Sequence, residues 1–359
     1  ASAYDLNGKW DKSRYTDWQK VLIGNTAENF QTQMSISGGG DRSSFLISAS
    51  HQEQGTVYPG SSGYKTNALN SNYSYNSSDR RFSLTASNYL TFQSNNVMNG
   101  DFTRQSLSLA PNAPALYTTN GNINWQENTF SNPLAALNGT YEAKILRLNQ
   151  DISVAYALSE DFRLKLNGGI NYWNLQENTL SPNTMYNPAF PAGASSANST
   201  SAVNNAHFFS YLLEPQLSWT KNIRKSKVEV LAGASYQETI SKSLAVRGTG
   251  YSSNALLYNV AAASVVNIEG LNETEYRYAA VFGRVNWNYD KKYILNITGR
   301  RDGSSRFGPN KRFANFGAVG AAWIMSEESF LKNVSWLSFA KLRGSYGLTG
   351  SDRIGDYQY

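Results

Sequence analysis

The sequence predicts an all-β fold, an antiparallel transmembrane β-barrel with about twelve strands, and three observations predict it. Apolar and polar side chains alternate with period two over long stretches. The connections between those stretches are by turns short and long, and aromatic residues gather near the stretch ends.

Taken in order, "FQTQMSIS" and "SFLISASHQ" flank the turn "GGGDRS", and "NALNSNYSYN" and "RFSLTASNYLTFQ" flank "SSDR". Between Thr140 and Trp173 the alternation is clearest. Leu146, Leu148, Ile152, Val154, Tyr156 and Leu158 are apolar, whereas Arg147, Asn149, Asp151 and Ser153 between them are polar. Such a segment has one side in an apolar medium and the other in water. After "SED" the pattern resumes with Phe162, Leu164, Leu166, Ile170 and Tyr172 opposed by Arg163, Lys165, Asn167 and Asn171, as in a tight hairpin. The same unit recurs through Phe209 to Trp219, the turn "KNIRKSK" and Val228 to Tyr236, and again through Val281 to Tyr289, the turn "DKK" and Tyr293 to Ile297. Helical periodicity is nearly absent. One short helix is expected over "SEESFLKN" (326–333), with Ser326 as its cap.

Short turns fall near residues 40, 78, 160, 224 and 290, and long connections are expected over roughly 52–65, 94–139, 176–203, 241–273 and 302–311. Tight turns at one end and elaborated loops at the other are the asymmetry of an outer-membrane barrel. Tyr156, Tyr172, Trp173, Trp219, Tyr236, Trp287, Tyr289 and Tyr293 lie near strand ends, where amphipathic rings favour the headgroup level. A water-soluble stack of sheets also alternates, but it keeps similar connections at both ends and breaks about every 8–12 residues.

Composition agrees. Charged residues are 16% and aromatic residues 13% of the 359, against about 25% charged in ordinary soluble domains. With no Cys, and only His51 and His207, neither disulfides nor zinc chemistry is expected. The net charge of +6 is scattered rather than patched, so no nucleic-acid partner is expected. No apolar run approaches the length of a spanning helix. The patterned sequence at both ends is expected to continue in a longer precursor carrying any targeting signal.

Three ordered motifs carry a family resemblance. The first comprises Tyr289, Lys292, Tyr293 and Leu295 followed by "RDGSSRFG" (301–308). The second comprises Ala322, Trp323, Ser326, Glu327, Glu328 and Phe330. The third comprises Lys341, Leu342, Arg343, Ser345, Tyr346, Gly347, Thr349 and Gly350, with Ser351 where Asn would be usual. Together they resemble the SusC/RagA class of TonB-dependent outer-membrane transporters. "TDWQ" (16–19), "SGG" (37–39) and "QGTV" (54–57) are similar to that family's early barrel strands. The resemblance implies a 22-stranded barrel plugged by an amino-terminal domain, with all of 1–359 belonging to the barrel and with the plug and closing strands outside it. It further implies the TonB–ExbB–ExbD complex and a SusD-like surface lipoprotein as partners, outer-membrane lipid around the barrel, and an imported oligosaccharide or peptide. A passive porin and a soluble carbohydrate-binding protein are the alternatives.

"RRDGSSRFGPNKR" (300–312) lacks the spacing of a phosphate loop. It reads as a hairpin tip in which Arg301, Asp302 and Arg306 form a salt-bridged corner or touch ligand, while Gly303 and Gly308 relieve the turn. In the long loops Tyr58, Tyr117, Trp125, Tyr186, Tyr251 and Tyr258 are expected to be exposed among Asn and Ser residues, a mixture suited to a sugar. The same rings would serve equally to pack loop on loop. No catalytic triad or nucleotide loop is defensible, so no enzyme and no cofactor are expected.

Overall fold

A computed structural model describes residues 3–60, 62–98, 100–331 and 336–355. Twelve antiparallel strands form one sheet in sequence order: β1 (Asn29–Gly39), β2 (Ser43–Gly55), β3 (Gly63–Asn76), β4 (Phe82–Asn96), β5 (Thr140–Ala157), β6 (Phe162–Ser181), β7 (Thr200–Ile223), β8 (Ser226–Thr249), β9 (Val265–Tyr289), β10 (Tyr293–Ser304), β11 (Phe313–Ile324) and β12 (Lys341–Leu348). Each strand pairs with its neighbour in sequence. Among the described residues β1 and β12 have a strand on one side only.

Register turns the period-two pattern into two chemically distinct faces. One row runs Met34, Ala49, Leu69, Leu90, Leu148, Tyr172, Phe209, Ile240 across eight strands. Another runs Trp219, Val230, Val285, Ile297, Val319, Tyr346. Many of these apolar side chains are exposed, as a face that meets lipid requires. The opposite face carries rows such as Ser44, Ser74, Thr85, Ser153, Asn167, Glu214, with Ser44 and Ser74 sharing a hydrogen bond and Ser153 donating to Asn167. The sheet is thus a stretch of antiparallel transmembrane barrel wall, apolar outside and polar within.

β7, β8 and β9 have 24, 24 and 25 residues. At about 3.3 Å per residue and a tilt near 40°, the longest rises roughly 60 Å, more than twice the ~25 Å apolar band of such barrels. Their upper halves therefore stand in water. This corrects the expected loops over 176–203 and 241–273, since the true connections are 182–199 and 250–264. Above the apolar band no strict in–out alternation marks the strands in the sequence, yet paired backbone N–H and C=O groups keep them extended.

At the short-turn end a ladder of rings marks the interface. Trp287, Tyr289, Tyr293 and Trp323 follow one another at centroid separations of 5.9, 6.4 and 6.5 Å. Below it Glu328 accepts hydrogen bonds from Tyr293 Oη at 2.7 Å, Lys292 Nζ at 2.9 Å and Trp323 Nε1 at 3.1 Å. Two of the sequence motifs are therefore one clamp. The helix expected at 326–333 is reduced to a 3-10 turn, Met325–Glu327, with Ser326 inside it rather than capping it; residues 332 and 333 lie outside the described residues. Trp173 also departs from expectation. It stacks on Phe208 at 5.8 Å on the inner face, because its odd number puts it with Asn167 and Asn171.

"TDWQ" is not a strand. Asp17 caps α1 (Trp18–Ile23), accepting from the Lys20 N–H at 3.1 Å, and the helix buries Trp18 and Leu22. These pack with Phe102, next to α2 (Thr103–Ser108), and with Ala113, Phe130 and Leu134 in a small apolar core over the long-loop end. Of "QGTV", Gln54 and Gly55 end β2 while Thr56 and Val57 belong to the connection.

Candidate functional site

Strand parity brings a polar constellation to the inner wall near the long-loop end. β9 turns Tyr276 and Tyr278 inward, and β10 turns Arg300, Asp302 and Ser304 inward beside them. Residues 350–353, which follow β12, cross over these strands and close a cavity of about 510 Å³ that Phe307, Arg312 and Phe316 also line. Gly350 is needed for this crossing, since a Cβ there would stand 2.4 Å from the Phe316 ring.

The polar groups form two linked clusters. Arg300 bonds Asp302 through Nε and the Tyr278 hydroxyl through Nη2, and its guanidinium lies 5.4 Å from the Phe282 ring centroid. Asp352 accepts from Tyr276 Oη at 2.6 Å and Ser304 Oγ at 2.9 Å. Arg306 lies over the Tyr276 ring at 4.4 Å and donates to the Asp352 carbonyl at 3.2 Å. Burial works against the charged form of Asp352, but the Tyr276 and Ser304 donors outweigh it, with Arg306 nearby, and hold its carboxyl below the usual range. The cavity offers cations, carboxylates, hydroxyls and ring faces together, which suits a ligand with many hydrogen-bonding groups and an apolar face.

Of the hairpin residues expected to act together, Asp302 lines the cavity and Arg306 joins the same constellation through Tyr276 and Asp352, whereas Arg301 does not. The ion pair is made by Arg300, and Arg301 projects from the outer face, 5.4 Å from the Phe313 ring centroid. Gly303 is not a turn residue either. It lies in β10, where a Cβ would come within 2.5 Å of Phe313, so its bare surface seats that ring. Gly308 is absent from the left-handed residues; Asn310, with φ 69°, supplies that conformation at the tip.

The loop aromatics are spread over the long-loop end. Tyr58 packs edge-on against Phe102 at 5.7 Å and donates to Asp101, so it is half-buried. Tyr117 bridges to Ile123 and stays 52% exposed, while Trp125 is half-buried before a 3-10 turn at 126–128. Tyr186 and Tyr258 are exposed, and Tyr258 reaches Glu142 at 3.3 Å. Tyr251 corrects the expectation of exposure. It is buried with Leu180 and Leu257 and shares a hydrogen bond with Ser201, so its hydroxyl is consumed inside the loop base. Asn183, Ser199 and Asn254 tie the 182–199 and 250–264 loops, and Asn187 with Asn128 ties 182–199 to 97–139.

Sequence reading overlooked Tyr276, Tyr278, Arg300 and Asp352, and the Trp173–Phe208 stack. Parity alone would have found Arg300, because Tyr293, Leu295 and Ile297 fix the odd positions of β10 as outer. Nothing local marks Asp352, whose partner Tyr276 lies 76 residues away. Among the described residues, no group of three His, Cys, Asp or Glu could hold a metal.

No protein-family model matches the chain. It is similar to TonB-dependent receptor P3 of Formosa agariphila, with 29% identity over 362 residues, covering 96% of this chain and 35% of that receptor. TonB-dependent receptor SusC of Bacteroides thetaiotaomicron is 44% identical over 75 residues, which is 21% of this chain and 8% of SusC. Among solved structures, the RagAB peptide transporter superposes with a TM-score of 0.76 at 22% identity, covering 97% of this chain and 40% of that one. The chain thus spans about a third of the length of the curated relatives that match it end to end. The sequence resemblance to TonB-dependent receptors extends over nearly all of this chain, that to SusC covers 75 residues, and the likeness to RagAB is one of fold; these relatives bear the names of receptors and transporters.

Proposed function

We propose that this chain, a relative of SusC/RagA-type TonB-dependent receptors, forms wall and loops of an active importer in the bacterial outer membrane. Residues 1–359 belong to its barrel domain, with an amino-terminal plug and the closing strands supplied by further sequence. Ligand arrives on the long-loop side, is held against the inner wall, and passes when TonB–ExbB–ExbD force displaces the plug. A SusD-like lipoprotein covers the loop side. The carrying observation is the inner-wall cavity lined by Tyr276, Tyr278, Asp302, Asp352, Arg312 and Arg353, with Arg300 and Arg306 held behind it by Asp302 and Tyr276.

The ligand is an oligosaccharide or a peptide. Ring faces and hydroxyls serve the first, and paired cations and carboxylates serve the second equally well. Binding of glycan and peptide panels to the intact importer, with and without its lid, separates the two. Energy-independent uptake would point to a passive porin instead. Trp125→Ala, which removes a half-buried loop ring, is expected to weaken uptake by about tenfold while leaving barrel assembly intact, the scale of one lost aromatic contact. Unchanged uptake would remove Trp125 from the ligand's path.

A further inference from the structure

Arg301, unlike Asp302 beside it, points away from the inner-wall cavity. It stands on the outer face, eight residues along β10 from the interfacial Tyr293. At about 3.3 Å per residue and a ~40° tilt, that is roughly 20 Å up a ~25 Å apolar band, near its upper margin. The rows around it agree. Val281 pairs with Arg301, and the row above runs Leu213, Tyr236, Ala279, Gly303, Phe313. One row higher the face becomes polar, with Glu238 bonded to Tyr211, Tyr236 and Arg277.

Beside Arg301 is a hollow of about 540 Å³, lined on this face by Leu213, Ala234, Tyr236, Ala279, Val281 and Phe313. Bulky side chains wall it and two alanines floor it. Arg301 is exposed at its edge, oriented by the Phe313 ring that Gly303 seats. No hydrogen bond or ion pair engages its guanidinium among the described residues, whereas Arg277 and Arg300 are both paired with carboxylates. A planar, permanently charged fork left open at the edge of an apolar groove matches a phosphate attached to acyl chains.

We propose that this groove holds a phosphorylated lipid of the surrounding outer leaflet, with Arg301 on the phosphate and an acyl chain in the hollow. The inference rests on the outer face meeting lipid and is independent of which ligand the inner wall carries. Its test is native mass spectrometry of the intact importer released from nanodiscs that contain lipid A or dephosphorylated lipid A. Heat-modifiable mobility reports assembly, and uptake is read separately. Wild type is expected to retain lipid A about tenfold better than the phosphate-free form, with Arg301→Gln erasing that preference and Arg301→Lys restoring part of it. Ala279→Leu, which fills the hollow and keeps the charge, is expected to lower retention of both lipids. Equal retention of the two lipids by wild type, or undiminished preference in the assembled R301Q variant, overturns the proposal. So does undiminished retention in A279L.

Discussion

Glu328 gathers three donors at the short-turn rim, and Tyr293, then Lys292 and Trp323, pull its carboxyl down to about 2. Because the folded state favours the ionised form, the clamp stabilises fully above the ordinary carboxyl range and is lost as pH falls from there toward about 2. Thermal loss of heat-modifiable mobility, followed from pH 6 downward, should therefore drop more steeply in wild type than in Glu328→Gln. Glutamine can still accept from Tyr293 and Trp323 but offers Lys292 no charge, so the variant should be less stable at neutral pH and nearly pH-independent at this site. Parallel profiles would show that the clamp contributes nothing. "RDG" shows how residue-scale meaning depends on parity: Arg301 faces lipid, Asp302 binds Arg300 inside, and Gly303 makes room for a ring.

At the scale of elements, α1 and the 97–139 connection are one unit. Trp18 donates to the Ala110 carbonyl at 2.8 Å, Trp10 donates to Thr129 at 2.9 Å, and Lys9 pairs with Glu127. Leu22 is completely buried within that unit. Leu22→Ala should cost about 2–5 kcal/mol locally, as core truncations do. The expected readout is faster hydrogen exchange and proteolysis across 97–139, with the strands unaffected. Uniform loosening of the sheet would mean that the loop core and the barrel fold together. The helix went unread in the sequence because six residues carry too little periodicity, and its apolar partners lie about a hundred positions away.

For the whole molecule, the assignment of the two faces decides everything else. Val285 lies in an apolar outer row and its neighbour Asn286 in a polar inner one, paired with Glu229 and Asn296. Val285→Arg should cost about 2–4 kcal/mol of membrane stability, against little for Asn286→Arg, because only the first places a cation against acyl chains. Assembly yield in lipid vesicles measures this, and equal tolerance of both would reverse the reading of the faces. Among the described residues β1 and β12 each have a strand on one side only, and an unpaired strand edge exposed to lipid is penalised at several kcal/mol per backbone group.

The sequence by itself determined the sheet, its hairpins and which side chains share a face, since a strand's period is fixed at two and apolar residues record it wherever one face meets lipid. That same rule, carried along β10, would have put Arg300 and Arg301 on opposite sides, where the sequence reading instead grouped Arg301 with Asp302 and Arg306. Tertiary structure alone decided how far β7 to β9 rise above the apolar band, where hydrogen-bonded neighbours rather than side-chain pattern sustain them. It alone brought Asp352 to Tyr276 and buried Tyr251 under the loops. Those contacts join residues far apart in the chain, and their energy exists only once the register between strands has been set.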